Sequence, residues 1–357
     1  MKDSPTKTIC FFNSNKAWGG GEKWHFTTAV EFKKRGYRTF LGTNEKSELA
    51  NRAQNEGVEF YRFSVGNLSF LNPFKVISLA MFFRREKVDA VLLNLPSDLK
   101  LAGIAAKIAG VKKIIYRRGM PHPLRGTFLN RFLFLRVLTH VVVNSKEIGR
   151  TLEEGNELWF PKKKLVLIYN GVDTSKSFDR EKKLYEKQGH ELVIGNAGRL
   201  TEQKGQKYLI EAAQMLKKDG VNFKVLIAGE GELKESLQGL IDSKGLSDQV
   251  KLIGHVTDMA AFMNSLDVFA FPSLFEGSAN TLIEALYYGK PIVAWDVSSN
   301  GEIVVDERCG VLIKFKDVVG FREALTSVKK VDGGDEVVRR VFDSGRNLDV
   351  LEGVLLK

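Results

Sequence analysis

At 357 residues the chain is long enough for two domains of ordinary size. Its hydrophobic share of 43% and charged share of 27% are those of a globular protein, which excludes collagen-like and disordered classes. Charge is segregated along the chain. Residues 1–170 hold 29 basic against 14 acidic residues, net +15, whereas residues 171–357 hold 25 against 29, net −4. The first half is therefore expected to meet something anionic: a membrane surface, a phosphorylated substrate or a nucleic acid. Cys10 and Cys309 lie far apart in apolar runs and read as small packed hydrophobes in a reducing compartment. The N-terminal MKDSPTKTICFF lacks the apolar stretch and cleavage site of a signal peptide. No run nears the roughly 18–20 apolar residues that span a bilayer. A cytoplasmic protein is expected, and the charge adds the expectation of peripheral contact with the inner face of an anionic membrane.

In chain order, short apolar runs alternate with helical periodicity, the pattern of a doubly wound α/β sheet. Strands are predicted over Thr8–Asn13, Thr39–Gly42, Val58–Phe63, Ala90–Asn94, Lys113–Tyr116, Val141–Asn144 and Leu165–Tyr169. Amphipathic helices are predicted between them, over Lys23–Lys34, Pro73–Arg85 and Leu99–Ala109. A polar stretch, Asn170–Gly189, reads as a linker, and the rhythm then restarts. The second series of strands covers Leu192–Asn196, Lys224–Ala228, Val250–Ile253, Val268–Phe271, Pro291–Ala294 and Gly310–Lys314. Its helices cover Gly205–Leu216, Glu232–Ser243, Met259–Ser265, Thr281–Tyr288 and Val318–Val328. The expected architecture is two Rossmann-like domains, 1–170 and 171–357, facing a ligand cleft at the carboxyl ends of their sheets.

The first predicted strand ends in SNKAWGGGEKW. Gly19, Gly20 and Gly21 there permit close backbone approach and present amides at a helix start, which suits phosphate. A plain flexible turn is the alternative, and the absence of GxGxxG with a following acidic strand end argues against a nicotinamide site. The second half is more specific. Arg199 follows the strand LVIGNAG, and Lys204-Gly205 opens a helix. In FPSLFEGSANTLIEALYYGK, Glu276 lies in the loop and Glu284 about one turn into the next helix. Between them stand Gly277, Ser278, Ala279 and the first helical amides, around Asn280, Thr281 and Leu282. A carboxylate, an anion-binding helix start and a second carboxylate, in that order, match a sugar, a diphosphate and a ribose. Arg199 and Lys204 would neutralise a departing diphosphate.

These motifs resemble the family 4 (group 1) glycosyltransferases, retaining enzymes of the GT-B fold. Glu276 and Glu284 match that family's E-x7-E motif, and Arg199 with Lys204 its GR…KG pair. Asn170-Gly171-Val172-Asp173, Ala228-Gly229-Glu230-Gly231 and Glu302-Ile303-Val304 also fall where the family has similar residues. In the first half, the run Gly19 to Glu22 resembles its glycine-rich loop, and Asn144-Ser145 its usual strand end. The resemblance implies a nucleotide-diphospho-sugar donor used as substrate, with no cofactor and no required metal. It implies that Glu284 holds the ribose, Glu276 the donor sugar, and Arg199 and Lys204 the diphosphate. Gly20 and Gly21 would face the distal phosphate, and His255 with Val256 the nucleobase. The acceptor implied is an anionic or lipid-linked glycan, as in lipopolysaccharide or another cell-envelope polysaccharide.

Two departures stand out. Where many members carry a strand-end histidine, this chain reads Tyr116-Arg117-Arg118-Gly119, with His122 shortly after. Glu22, Arg117, Arg118 and His122 are thus the candidates for contact with the acceptor or the reacting sugar. The EGSAN loop also differs from the commoner EGFG. His25 and His140 read as packed, and Lys162–Lys164 as solvated loop charge. Around Thr127–Leu138, five arginines from Arg117 to Arg136 surround an apolar run that reads either as core or as an interfacial helix. The competing functions are another GT-B activity, such as a sugar-nucleotide epimerase, and nucleic-acid binding by the basic half. Aromatics are not interleaved with the cations as a stacking platform requires, so no nucleic acid is expected.

Overall fold

Within each sheet, successive strands are joined through helices rather than tight turns, so neighbouring strands pair in parallel. A computed structural model describes residues 6–175, 177–329 and 333–356, and expectations for the remaining positions lie outside that range. The strands are β1 (Thr8–Asn13), β2 (Arg38–Asn44), β3 (Phe60–Phe63), β4 (Ala90–Leu93), β5 (Lys113–Arg118), β6 (His140–Val143) and β7 (Leu165–Leu167). They form one parallel sheet in the order β3-β2-β1-β4-β5-β6-β7. A second parallel sheet contains β8 (Leu192–Ala197), β9 (Phe223–Ala228), β10 (Val250–Gly254), β11 (Val268–Phe271), β12 (Ile292–Trp295) and β13 (Gly310–Ile313). Its order, β10-β9-β8-β11-β12-β13, is the same winding. Both are doubly wound sheets whose strand order reverses beside the first strand, the place where such sheets bind ligands.

The contact pattern divides the chain into Met1–Ile168 with Leu348–Lys357, and Tyr169–Asn347. In the first unit, α1 (Gly20–Lys34) and α2 (Glu48–Asn55) cover one face of the sheet. The opposite face carries α3 (Pro73–Arg85) and α4 (Pro96–Asp98), the latter running through a π turn at Leu99–Gly103 into α5 (Ile104–Ala109). On that same face α6 (Phe128–Phe132) continues through a second π turn, Leu133–Val137, and α7 (Lys146–Glu153) follows β6. The second unit contains α8 (Gln206–Lys218), α9 (Lys234–Ser243), α10 (Met259–Asn264), α11 (Asn280–Tyr287), α12 (Asn300–Ile303), α13 (Val318–Ser327) and α14 (Gly334–Val341). The last helix, α15 (Ser344–Leu356), begins there and ends in the first unit.

Three expectations change. The boundary at residue 170 does not hold at the C-terminus, because Leu351 and Leu355 are fully buried against α1 and β1 residues such as Phe32 and Ile9. Arg35 pairs with Glu352 at 2.5 Å, and Tyr37 donates to the same carboxylate at 2.6 Å. The stretch 170–189 is not a free linker either. Phe178 packs on Tyr288 with ring centroids 4.5 Å apart, and the Leu184 and Tyr185 amides donate to Ser265 Oγ. Lys164, read as solvated, donates to the carbonyls of Phe134, Leu135 and Leu138, capping the end of the 133–137 turn. The run Thr127–Leu138 splits between the two readings: Leu133, Phe134, Val137 and Leu138 are core, while Phe128, Phe132 and Leu135 are exposed.

Asp98 ties the switch point of the first sheet together. Its wholly buried carboxylate accepts from the Ser14 hydroxyl after β1 and from the Leu95 amide at 3.0 Å after β4. Burial raises its pKa from 3.8 to about 7, against the hydrogen bonds from Ser14 and Leu95. A raised acid contributes stability that is full below about pH 4 and is lost as the pH rises through 7. His25 acts oppositely: burial first, then Arg117, lowers it from 6.5 to about 3, so its contribution is lost as the pH falls. The His25 contribution is common to wild type and Asp98→Asn and cancels in their difference. The melting temperature of Asp98→Asn minus that of wild type should therefore climb between about pH 4 and 7 and level off above. A difference that stays flat across this window in thermal melts would contradict the buried, ionisable assignment.

Candidate active site

In the second unit the loops after β8, β9 and β11 meet at the carboxyl end of the sheet. The loop after β8 carries Arg199 and a short turn, Glu202–Lys204, that ends at Gly205. Gly205 is left-handed, with φ 63°, and a Cβ there would stand 2.1 Å from the Pro272 carbonyl oxygen. Only glycine allows the two loops to touch so closely. Gln203 seals the contact: its carbonyl accepts from the Leu274 amide at 2.8 Å, and its side chain donates to the Phe275 carbonyl at 2.9 Å. Gly229, after β9, does the same on the other flank, where a Cβ would meet the Gly198 carbonyl oxygen at 1.9 Å.

These contacts place Lys204 Nζ 2.6 Å from Glu276 Oε1. Both side chains are largely withdrawn from water, and the ammonium also lies 5.5 Å from the centre of the Phe271 ring. Arg199 is exposed and makes no ion pair among the described residues, while its carbonyl accepts from the Gln206 side chain at 3.0 Å. The α11 helix starts at Asn280 with Ala279 as its cap residue, whose methyl side chain can accept nothing from the first amides. No side chain therefore caps the positive end of the helix, while the Asn280 and Leu282 amides donate to the Ser278 and Ala279 carbonyls at 3.0 and 2.9 Å. Ser278 Oγ donates to Asn280 Oδ1 at 3.3 Å, and Asn170 Nδ2 to the same oxygen at 2.9 Å. Thr281 is partly exposed and Leu282 is core. Glu284, half-buried one turn into α11, lies beyond the amides. The structure thus gathers Lys204, Glu276, Ser278 and Asn280 around one helix start. His255 is exposed just past β10, and Val256 beside it is partly buried, packed against the core cluster that includes Phe262 and Met263 of α10.

In the first unit α1 opens directly at Gly20, after the extended Gly19, with no side-chain cap. Gly21 faces Asn94, whose Nδ2 would lie 3.3 Å from a Cβ. Glu22, read as an acceptor contact, is buried, and its Oε1 accepts from Asn13, Asn15 and Asn94 at 3.0–3.4 Å. Those amides saturate that oxygen and make Glu22 a strut across the ends of β1 and β4. Arg117 is likewise buried, stacked 4.1 Å over Trp24, and burial lowers its pKa to about 10 while Glu22 opposes the shift. The neutral His25 ring lies behind it, with Nδ1 3.1 Å from the Gly21 carbonyl and Nε2 without a partner. Arg118 donates to the carbonyl of His122, so these two candidates are held together through backbone, with the His122 ring exposed on the loop. Asn13, Asn15, Trp24, Asn94 and Asp98 escaped the sequence reading. The only trace they leave is the unusual density of polar residues at the ends of β1 and β4.

Among the described residues no group of three or more histidine, cysteine or acidic side chains is placed to hold a metal, and no helix is long and apolar enough to cross a membrane.

Residues 18–176 match the model of Glycosyltransferase Family 4, and residues 177–340 that of Glycosyl transferases group 1. An uncharacterised glycosyltransferase of Methanocaldococcus jannaschii is 33% identical over 168 residues, which is 46% of this chain and 41% of that protein. The Escherichia coli UDP-Gal:alpha-D-GlcNAc-diphosphoundecaprenol alpha-1,3-galactosyltransferase is 26% identical over 308 residues, 77% of this chain and 79% of that one. A glycosyltransferase from Rickettsia africae superposes with a TM-score of 0.85 at 18% identity, covering 99% of this chain and 98% of the other. HepE of Anabaena, solved with UDP and glucose, superposes at 0.77 with 20% identity, covering 98% and 99%. The two family matches run consecutively over nearly the whole length: this chain belongs to the family 4, group 1 glycosyltransferases and is a glycosyltransferase of the GT-B fold.

Proposed function

We propose that the chain transfers a sugar, with retention of configuration, from a nucleoside-diphospho-sugar to an anionic or lipid-linked glycan. Its setting would be the assembly of lipopolysaccharide or another cell-envelope polysaccharide at the inner face of the cytoplasmic membrane. The observation that carries this reading is the Lys204–Glu276 pair at 2.6 Å beside the uncapped start of α11. Bond cleavage at the anomeric carbon leaves negative charge on the diphosphate. A lysine, an arginine and a helix start fixed in advance stabilise that charge without reorganising at the moment of reaction. Lys204 is drawn toward the diphosphate as Glu276 turns to the sugar hydroxyls, and Arg199 closes from the solvent side. Glu284, beyond the amides, accepts from the ribose. In this reading the two cations do the work of a divalent metal, and no cofactor takes part. The acceptor in the E. coli relative's name, a diphosphoundecaprenol-linked sugar, and the charge of residues 1–170 support a lipid-linked anionic acceptor. The UDP carried in the names of that relative and of the HepE complex makes uridine the first base to test.

Thermal melting with UDP, GDP and ADP tests the donor. The cognate diphosphate alone should raise the melting temperature, by an amount set by its concentration over its Kd, and should do so equally with EDTA present. No stabilisation by any of the three would remove the reading.

Arg199→Ala should lower kcat on the order of 100-fold, about 2.7 kcal/mol of transition-state stabilisation, with unchanged melting temperature because the side chain is exposed. Lys204→Ala should lose activity and also stability, since it strands the buried Glu276 carboxylate. Normal turnover in Arg199→Ala would misplace the diphosphate.

The two carboxylates should separate in binding and turnover. Glu284→Gln should weaken free nucleoside diphosphate measured by calorimetry. Glu276→Gln should lower kcat while nucleoside diphosphate binds as well or better, because the charge that competes for Lys204 is gone. Equal loss of nucleotide affinity in both variants would undo the division of roles.

A further inference from the structure

The side of the first unit that carries α3 exposes a surface that the glycosyl-transfer reading does not use. On α3, Val76, Leu79, Ala80 and Phe83 face the core. Phe74, Ile77 and Met81 occupy the opposite face at helical spacing and are 81%, 50% and 58% exposed. The turn that leads into the helix adds Leu68 and Leu71, also exposed. A soluble helix normally places charge there. Isolated exposed hydrophobes are common, but five in 14 residues along one continuous face mark a contact surface. The apolar surface continues into a groove of about 660 Å3, walled in part by Phe63, Leu79, Phe82 and Leu101, with Lys75 and Arg85 at its rim.

Its charge identifies the partner class. No aspartate or glutamate occurs anywhere from Phe60 to Arg85, while Arg62, Lys75, Arg84 and Arg85 do. Arg84 is anchored by donation to the Ile108 carbonyl at 2.7 Å, which satisfies its geometry and leaves its charge uncompensated. Lys75 likewise reaches only the Ser64 carbonyl, at 3.1 Å, and Lys100 lies 5.7 Å from the centre of the Phe70 ring. Arg85 is paired with Glu86, which Arg38 shares. Large apolar side chains ringed by cations, with no acid among them, fit an anionic lipid surface: the hydrocarbons enter the interface while the cations stay at headgroup level. A protein partner of ordinary composition would leave those cations facing mixed charge. No described helix is long and apolar enough to span, so the contact is interfacial.

We propose that the turn from Leu68 to Leu71 and helix α3 form the membrane-docking element of this enzyme, seating the first unit on an anionic bilayer. The proposal rests on the lipid-linked acceptor reading and assigns it a location, distinct from the α6 segment where the sequence alone directs attention. The test is flotation of the full chain with vesicles of phosphatidylcholine containing phosphatidylglycerol, against phosphatidylcholine alone. Wild type should float with the anionic vesicles at about 50 mM salt, and much less at about 500 mM, where the screening length is roughly threefold shorter. Neutral vesicles should not carry it. The triple variant Phe74→Ser, Ile77→Ser, Met81→Ser should partition at least about tenfold more weakly. Its melting temperature, and the shift produced by the cognate nucleoside diphosphate, should match wild type because the altered side chains are exposed. Phe128→Ser with Phe132→Ser should change partition by less than about threefold.

Wild type that fails to bind anionic vesicles at low salt overturns the proposal, as does a triple variant that binds like wild type. If only the α6 variant loses binding, the α3 assignment falls while membrane association stands. A dimer that the triple variant dissolves, in a chain that ignores vesicles, would assign the face to a second copy and equally overturn the proposal. The nucleotide shift is read separately, so failure of the donor site and failure of the docking face give different results.

Discussion

Lys204 and Glu276 hold opposite charges 2.6 Å apart with little water around either, an arrangement that exists only while two loops touch. Desolvating two ions costs several kcal/mol each, and their attraction offsets this only when the geometry is held from outside. Gly205 supplies that support through a left-handed turn pressed against the Pro272 carbonyl, and Gln203 through two hydrogen bonds to the following loop. A side chain at 205 would part the loops and draw the ammonium away from the carboxylate. The KG dipeptide is therefore one device: the lysine carries the charge and the glycine sets where the charge stands. The start of α11 belongs to the same design, since no side chain caps its positive end, although the Asn280 and Leu282 amides turn to the Ser278 and Ala279 carbonyls.

The first unit has the same topology at the same switch point but handles its acids differently. Glu22 is met by three side-chain amides, and Asp98 by a hydroxyl and backbone amides. Amide donors neutralise no charge, so Asp98 feels its burial and its pKa rises to about 7. Arg117, buried over the Trp24 face, interacts electrostatically with Glu22 and is itself pulled down by burial to about 10. In the stretch where the resemblance leads one to expect a histidine, Arg117 thus cannot be read as a simple swap of one polar contact for another. It holds Trp24, and with it the first turns of α1, in a site already filled by the chain's own groups.

Much of the frame was legible because it is written in local terms. The apolar runs predict all thirteen strands to within about two residues at their ends, and Pro73–Arg85 agrees at both ends because Asn72 caps it and Pro73 opens it. Glu276, Glu284, Arg199 and Lys204 were legible as a pattern of residue types around one helix start. What stayed hidden depends on contacts far apart in sequence. Leu351 and Leu355 carry no mark saying that they belong with Phe32 rather than with α14 nearby. The burial of Glu22 follows from Asn94, 72 residues on, and the pairing of Lys204 from Glu276, 72 residues on. The exposed face of α3 was hidden for the opposite reason. Its periodicity reads as amphipathic, but the sequence does not say that the outward face carries Phe74, Ile77 and Met81, which the packing of Val76, Leu79, Ala80 and Phe83 toward the sheet reveals.

The same packing explains where the +15 of the first half is spent. Part is neutralised locally: Arg35 by Asp349 and Glu352, Arg38 by Glu59 and Glu86, Arg150 by Glu147 and Glu154, and Lys162 by Glu153. Part is consumed inside, as with Arg117 over Trp24 and Lys164 on three carbonyls. Of the rest, Lys75 and Arg84 stand on α3 with the exposed Phe74, Ile77 and Met81 and donate to backbone carbonyls rather than to acids. Net charge by itself would draw any polyanion from a distance of about one screening length, roughly 8–10 Å. Cations interspersed with large exposed hydrophobes discriminate further, because a soluble polyanion can satisfy the charges but offers nothing to the side chains between them. A lipid surface would satisfy both, so the proposed membrane contact rests on the arrangement of the uncompensated charge more than on its sum.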